Sequence, residues 1–342
     1  MPSPTPAAPV SPPSSPPTTS WRERLTPRVT RVLATANLVC QIGIILTGGV
    51  VRLTGSGLGC STWPQCEPGE FSPVLHPEAT YHPFVEFGNR TLTGVLLVVA
   101  LLLAAAVWNA PALRTRSRSL RLLALTPLLG VLAQALIGGI TVLLHLHPGV
   151  VGFHFLVSAV LVWASTVLVV RLREGDDAPE PVLKPSGTSG RWLRAVPAVF
   201  AVLTLAVVVL GILTTGSGPH SGDDEVGYRF ALDPVVLAKA HAWTVWLFVA
   251  ALVATLVVVT RAVAGGRTDN AAPDPGSALD TARARALRQW WVLLAVTLLQ
   301  GAIGYAQYFT GLPVPLVALH LLGSALLVSA TTFAVLALRV RS

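Results

Sequence analysis

Val150–Ala159 reads VVGFHFLVSA, a run apolar enough for hydrocarbon with His154 at its centre. Leu316–Ala325 reads LVALHLLGSA and sets His320 at the same fifth place, before the same Ser-Ala pair. A third histidine of this kind, His241, lies in KAHAWTVWLFVA. An ionisable group inside an apolar span is costly and usually serves function. A lone imidazole can instead simply hydrogen-bond a neighbouring helix. His241 and His320 fall at similar depth on two separate spans, with Trp243 and Trp246 nearby. That is the donor set for a macrocyclic iron held from both faces between apolar walls, since imidazole is an ordinary axial ligand of haem iron. His154 occupies the equivalent place in the first half of the chain.

A second cluster of chemistry-bearing residues precedes these spans, in GGVVRLTGSGLGCSTWPQC. Its glycines permit tight turns and close helix approach. Cys60 and Cys66 can close a disulfide that shapes the loop, or remain a redox-active thiol pair. Two thiols with no second pair make a poor zinc site, and Cys40 reads as packing. In VEFGNRTLTG, Glu86 and Arg90 are four apart and share a helix face. They form a plain ion pair, or a carboxylate poised over a pocket to relay protons. His76, His145, His147 and His220 fall in loops or at their edges and read as solvated side chains.

These residues must be positioned by elements that cross a membrane. The chain has 342 residues, 52% hydrophobic and 12% charged, with mean hydropathy +0.65. A span needs about 20 apolar residues, and eight such runs occur, near 29–51, 88–108, 121–143, 150–171, 195–214, 235–260, 289–309 and 315–338. The expected fold is therefore an all-α integral membrane protein. The net charge of +8 invites a nucleic-acid reading, but its distribution argues for none. With the N-terminus cytoplasmic, 20 of the 24 Lys and Arg fall on inner segments, leaving Arg52, Arg90, Arg229 and Lys239 outside. The positive-inside rule then sets both termini in the cytoplasm, and the basicity orients the chain against membrane lipid. Lysine is scarce beside Arg, Ala and Val, a composition that suggests a GC-rich bacterial genome and a plasma-membrane location.

The chain is also written twice. At an offset of 166, His154 aligns with His320, and Gln134, Ile137 and Gly138 align with Gln300, Ile303 and Gly304. Thr54-Gly55-Ser56-Gly57 recurs as Thr215-Gly216-Ser217-Gly218. The expectation is two tandem four-helix bundles related by a pseudo-two-fold axis along the membrane normal, with cofactors held between facing helices. The boundaries are a disordered Pro/Ser-rich tail at 1–27, an N-terminal bundle at 28–173, a cytoplasmic linker at 174–192 and a C-terminal bundle at 193–342. A second inner linker, around 264–282, reads as flexible.

GGVVRLTGSGLGCSTWPQC, then EFGNR, then QALIGGITV with HPGVVGFHFLVSA and a degenerate second copy, together resemble the haem A synthase family over roughly residues 29–338. The resemblance implies oxidation of the C8 methyl of haem O to a formyl group, giving haem A for cytochrome oxidase. It implies a resident haem b on His241 and His320. It also implies a substrate haem in the first half, at His154 with Asn89 and Arg90, and Glu86 as the catalytic acid. Haem O is then the substrate and a haem O synthase a partner. The electron donor is unidentified, since the chain carries no flavin or iron–sulfur motif, and a homo-oligomer stays open. One position departs from the family pattern. Its glutamate, two residues, histidine, arginine motif has Asn89 where the histidine stands, aligned with His241 in the internal repeat. A carboxamide is a poor iron ligand, so the first half offers one strong ligand, His154, and an exchangeable position. His82 precedes Asn89 by seven residues, about 10 Å along a helix, and does not replace it directly. The alternative is a membrane b-type cytochrome that only carries electrons; Asn89 argues against a version with two complete histidine pairs, while a single-haem version stays open. A haem exporter would need broken helices or a nucleotide-binding motif, and the sequence has neither.

Overall fold

The computed structural model describes residues 25–74, 80–220, 222–223, 225–265 and 278–341. Most of the N-terminal tail, His76 and most of the second linker lie outside them. Among the described residues nine α-helices follow in order: α1 (Pro27–Leu53), α2 (His82–Asn109), α3 (Arg118–Leu123), α4 (Thr126–Leu143), α5 (Pro148–Arg171), α6 (Gly187–Ser217), α7 (Pro234–Gly265), α8 (Ala278–Phe309) and α9 (Val314–Leu336). With α3 and α4 taken together, eight helices are long and apolar enough to cross a membrane. The chain is an all-α membrane protein.

Each of the eight apolar runs becomes a span, and the differences lie at the ends. The third run breaks between α3 and α4, where Pro127 enters the first turn of α4 and removes an N–H from the ladder. Helix α2 starts six residues before its apolar run, with Pro83 in its first turn. Helices α6 and α8 likewise begin well before theirs, in polar turns that carry Arg191, Asp280 and Arg283. A helix satisfies its own backbone, so it continues past the hydrocarbon wherever its flanks are polar.

One set of helices packs α1 against α2 and α5, with α4 against α2 and α5. A second set packs α6 against α7, α7 against α8, and α8 against α9. Helix α9 also lies against α1 and α5, which joins the two sets. Glycines permit this approach: a methyl on Gly49 of α1 would strike Leu321 of α9, and one on Gly152 of α5 would strike Ile212 of α6. Buried polar pairs add directional contacts. Asn37 donates to Ser165 at 2.9 Å, and Thr166 to Ser329 at 3.0 Å, the latter from α5 to α9. In the second set Phe200 meets Phe248 and Trp290 edge-on, ring centres 5.1 Å apart in both pairs. Outward faces such as Val39, Leu205, Leu247 and Leu299 stay exposed, as lipid contact requires.

The 174–192 linker is tied down by specific contacts. β1 (Glu180–Pro181) pairs antiparallel with β2 (Arg339–Val340), and Val182 and Leu183 are buried. Asp176 accepts from Arg116 at 2.8 Å and from the Ser117 N–H at 2.8 Å. Glu174 lies 3.9 Å from each of Arg171, Arg339 and Arg341. Two carboxylates among four arginines thus close the end of the molecule that carries the C-terminus.

Candidate functional site

His154, His241, His320 and the cysteine pair lie toward the opposite end, which is called the disulfide end below. His241 is in the third turn of α7 and His320 in the second turn of α9. Their rings face each other with centres 6.5 Å apart and planes at 72°. Two imidazole nitrogens about 2 Å from one ion place the ring centres on the order of 6 Å apart. The spacing therefore fits two axial imidazoles. Neither Nδ1 has a hydrogen-bond partner although both are buried. Each ring edge rests on a glycine. A methyl on Gly211 of α6 would sit 3.4 Å from Cε1 of His241, and one on Gly304 of α8 would sit 3.1 Å from Cε1 of His320. Gln300 donates to the His320 carbonyl at 2.7 Å and fixes that turn. The donors, the small-residue cradle and the apolar surroundings fit a haem.

The first half repeats this arrangement around His154 alone. Gln134 donates to the His154 carbonyl at 3.0 Å and also to Ser158. A methyl on Gly138 would lie 3.5 Å from Cε1 of His154, whose Nδ1 is buried without a partner. These are the contacts of Gln300, Gly304 and His320, found 166 residues earlier. Asn89 has no imidazole to offer. Its Oδ1 accepts from the Thr47 hydroxyl of α1 at 2.8 Å, so the amide oxygen is already engaged. His82 does not substitute for it: His82 opens α2, and its Nδ1 is bonded to Ser56 at 2.9 Å.

The loop between α1 and α2 covers this half. Cys60 and Cys66 form a disulfide, and both are fully buried. The Glu86–Arg90 ion pair forms, and both partners also hold the loop. Glu86 Oε2 accepts from the Cys60 N–H at 2.7 Å, while its Oε1 accepts from Arg90 Nε at 3.1 Å. Arg90 also donates to the carbonyls of Thr62 and Gln65, at 3.1 and 3.2 Å. Glu86 is 6% exposed. Trp63 reaches from the loop onto Gly139 of α4, next to the glycine that cradles His154. Gly59 packs so closely on the His82–Pro83 backbone that no side chain fits there.

The other loop histidines are less alike than their sequence suggests. His145 is exposed, with φ +47°. His147 caps α5, its Nδ1 accepting from the Gly149 N–H at 3.3 Å. His220 links loops through Nε2 to the Leu312 carbonyl at 3.1 Å. Arg52, at the end of α1, donates to the carbonyls of His220 and Thr215 and ties the first half to the second. Thr47, Ser56 and Trp63 are site residues that sequence reasoning missed. Ser56 stood in the recurring Thr-Gly-Ser-Gly stretch and Trp63 in the loop motif, but only their partners in space give these three side chains a role.

A sequence profile described as cytochrome oxidase assembly protein (COX15-CtaA) matches residues 31–332. The chain belongs to this family. Among its curated relatives, the haem A synthase of Bacillus pumilus is 28% identical over 156 residues, 45% of this chain and 48% of that one. The haem A synthase of Lysinibacillus sphaericus is 26% identical over 237 residues, 68% of this chain and 72% of that one. That of Oceanobacillus iheyensis is 32% identical over 147 residues, 43% of this chain and 45% of that one. Apart from the Lysinibacillus protein, the chain spans about half the length of these relatives. The family match takes in every residue of the two histidine sites and of the disulfide loop.

Proposed function

We propose that the chain is a haem A synthase, oxidising the C8 methyl of haem O to a formyl group. The observation that carries this reading is the asymmetry between its two halves. One half brings two imidazoles together with ring centres 6.5 Å apart. The other sets one imidazole in the same cradle and gives its partner position to an asparagine already bonded to Thr47. A carrier of electrons needs no such difference. A resident group together with a reacting one does.

In this reading His241 and His320 hold haem b in the 193–342 half, and the 28–173 half receives haem O at His154, beside Asn89 and Arg90. When bound, the haems supply redox-active iron, and the chain supplies position and protons. His154 fixes the substrate from one face, while Asn89 leaves the opposite face without a strong protein ligand, as oxygen chemistry at a haem needs. Glu86 is the acid. Its carboxyl group is held between the Cys60 N–H and Arg90. The disulfide loop and Trp63 close the site over it and keep water out. The disulfide end faces outward and both termini are cytoplasmic, consistent with the distribution of Arg and Lys. The pseudo-two-fold axis along the membrane normal and a haem O synthase as supplier belong to the same reading.

The test is production. The chain is expressed with and without a haem O synthase, and the haems are extracted and identified. Haem A or a hydroxylated haem O is expected only when haem O is made. Folded protein with abundant haem O and neither product overturns the proposal.

A further inference from the structure

A groove of about 660 Å³ opens at the end opposite the disulfide loop, between the start of α1 and the residues just past α5. Three arginines line it: Arg28 and Arg31 from the first turns of α1, and Arg173 from beyond α5. All three are exposed. Most of the remaining wall is apolar.

Two observations set this cluster apart. Neighbouring arginines at the same end are met within the protein: Arg116 and Arg171 pair with Asp176, and Arg339 and Arg341 lie beside Glu174. Among the described residues, Arg28, Arg31 and Arg173 have no carboxylate partner. Arg31 gives its Nε–H to the Pro27 carbonyl at 3.2 Å, which leaves its charge unmatched. The second observation is the stripe that leads away from them. Arg28, Val32, Ala36 and Val39 follow one face of α1 at helical spacing. Val32 and Val39 are 60% and 62% exposed, whereas Ala34, Leu38 and Gln41 on the opposite face are buried. The stripe from Val32 to Val39 runs about 10 Å along the axis, into the apolar part of the span.

Arg28 and Arg31 stand three apart and are neighbours on the helix surface, so their long side chains can converge on one anion. Guanidinium groups favour phosphate, whose oxygens accept paired N–H donors. The occupant therefore needs a phosphate at the rim and hydrocarbon along the stripe. A free phosphate leaves the valines uncovered, and a neutral lipid leaves the arginines unmatched. Residues 1–24 offer Glu23 as their one carboxylate, set between Arg22 and Arg24, so that segment brings no complementary charge.

We infer that the groove binds one anionic phospholipid, its phosphate among Arg28, Arg31 and Arg173 and an acyl chain over Val32, Ala36 and Val39. Basic pockets beside membrane spans hold lipid headgroups by the same attraction. The lipid bridges the start of α1 and the exit of α5, and this site is independent of the haem chemistry.

The full-length protein, stripped of lipid in neutral detergent, is titrated with dioleoyl-phosphatidylglycerol, and native mass spectrometry counts the lipids bound. One saturable phosphatidylglycerol is expected, with dioleoyl-phosphatidylcholine about fivefold weaker and glycerol 1-phosphate failing to compete. The triple variant Arg28→Gln/Arg31→Gln/Arg173→Gln should bind it about tenfold more weakly, or worse. A control triple, Arg114→Gln/Arg118→Gln/Arg285→Gln, removes three exposed arginines of the same end and should bind as the parent does. Ala36→Trp fills the groove with every charge kept and should also weaken binding; it decides the matter if the first triple variant does not fold. No saturable binding, or an unchanged affinity in Ala36→Trp, overturns the inference. Equal losses in the two triple variants would leave only general surface charge and overturn it as well. So would phosphatidylcholine binding as tightly, or glycerol 1-phosphate displacing the lipid.

Discussion

His241 and His320 carry the plainest prediction at the scale of single residues. With the ring centres 6.5 Å apart, substituting either by Ala would remove one of the two proposed axial ligands. The low-spin b-type optical spectrum should be lost in both variants and kept in Asn89→Ala. Equal loss in all three would refute the ligand assignment. Glu86 is a sharper case, because it holds a loop and is also the acid of the proposed reaction. Glu86→Gln keeps an acceptor for the Cys60 N–H but removes the acid. A drop in haem O turnover of about 100-fold or more, with the disulfide and haem b retained, is expected for a proton-transfer group. Full turnover in that variant would reduce Glu86 to a loop anchor. The asparagine at 89 was legible as a departure from the motif. Its partner Thr47 was not, because the contact joins residues 42 apart on separate helices.

At the scale of elements, glycine placement decides how close each imidazole sits to its neighbouring helix. A methyl at Gly304 lies 3.1 Å from the His320 ring, tighter than ordinary contact, whereas one at Gly301, on the same helix, meets nothing within 4 Å. Gly304→Ala should therefore shift the electron paramagnetic resonance and optical signature of the haem. Gly301→Ala should leave it alone, and helix propensity even favours it by up to about 1 kcal/mol. If both behave alike, the cradle has no influence on the ligand. The α5–α9 contact offers a stability counterpart. Losing the Thr166–Ser329 bond in Ser329→Ala should cost about 0.6 kcal/mol, the usual worth of such an interhelical bond. Reversible unfolding in detergent measures it. Spans and their order were readable from apolar run length. The helix ends were not, since they depend on proline placement and on polar turns beyond the hydrocarbon.

The whole molecule is fastened at both ends, and the end opposite the disulfide is held by charge. Burial alone would raise the pKa of Asp176, but hydrogen bonds from Arg116 and Ser117 outweigh it and hold the carboxyl well below its ordinary 3.8. A depressed carboxylate stabilises the fold fully above the unfolded value. That stability is lost as pH falls below about 3.8 towards the folded value. The thermal midpoint should accordingly drop on acidification below pH 4, and Asp176→Asn should be less stable at pH 7 with a shallower acid dependence. An identical pH profile in parent and variant would show that this clamp contributes nothing. The linker that reads as a polar spacer is in fact tied to the C-terminus through β1 and β2.

The sequence by itself determined the membrane class, the eight spans, the internal repeat and the residue types of both histidine sites. Hydropathy and periodic spacing are local properties, and a duplicated motif is visible wherever it lies. Only the tertiary structure decided that the rings of His241 and His320 come within 6.5 Å of each other, that Thr47 engages Asn89, and that Glu86 holds the disulfide loop. Each of those depends on which faces of distant helices turn together, and packing between side chains far apart in the chain sets that rotation.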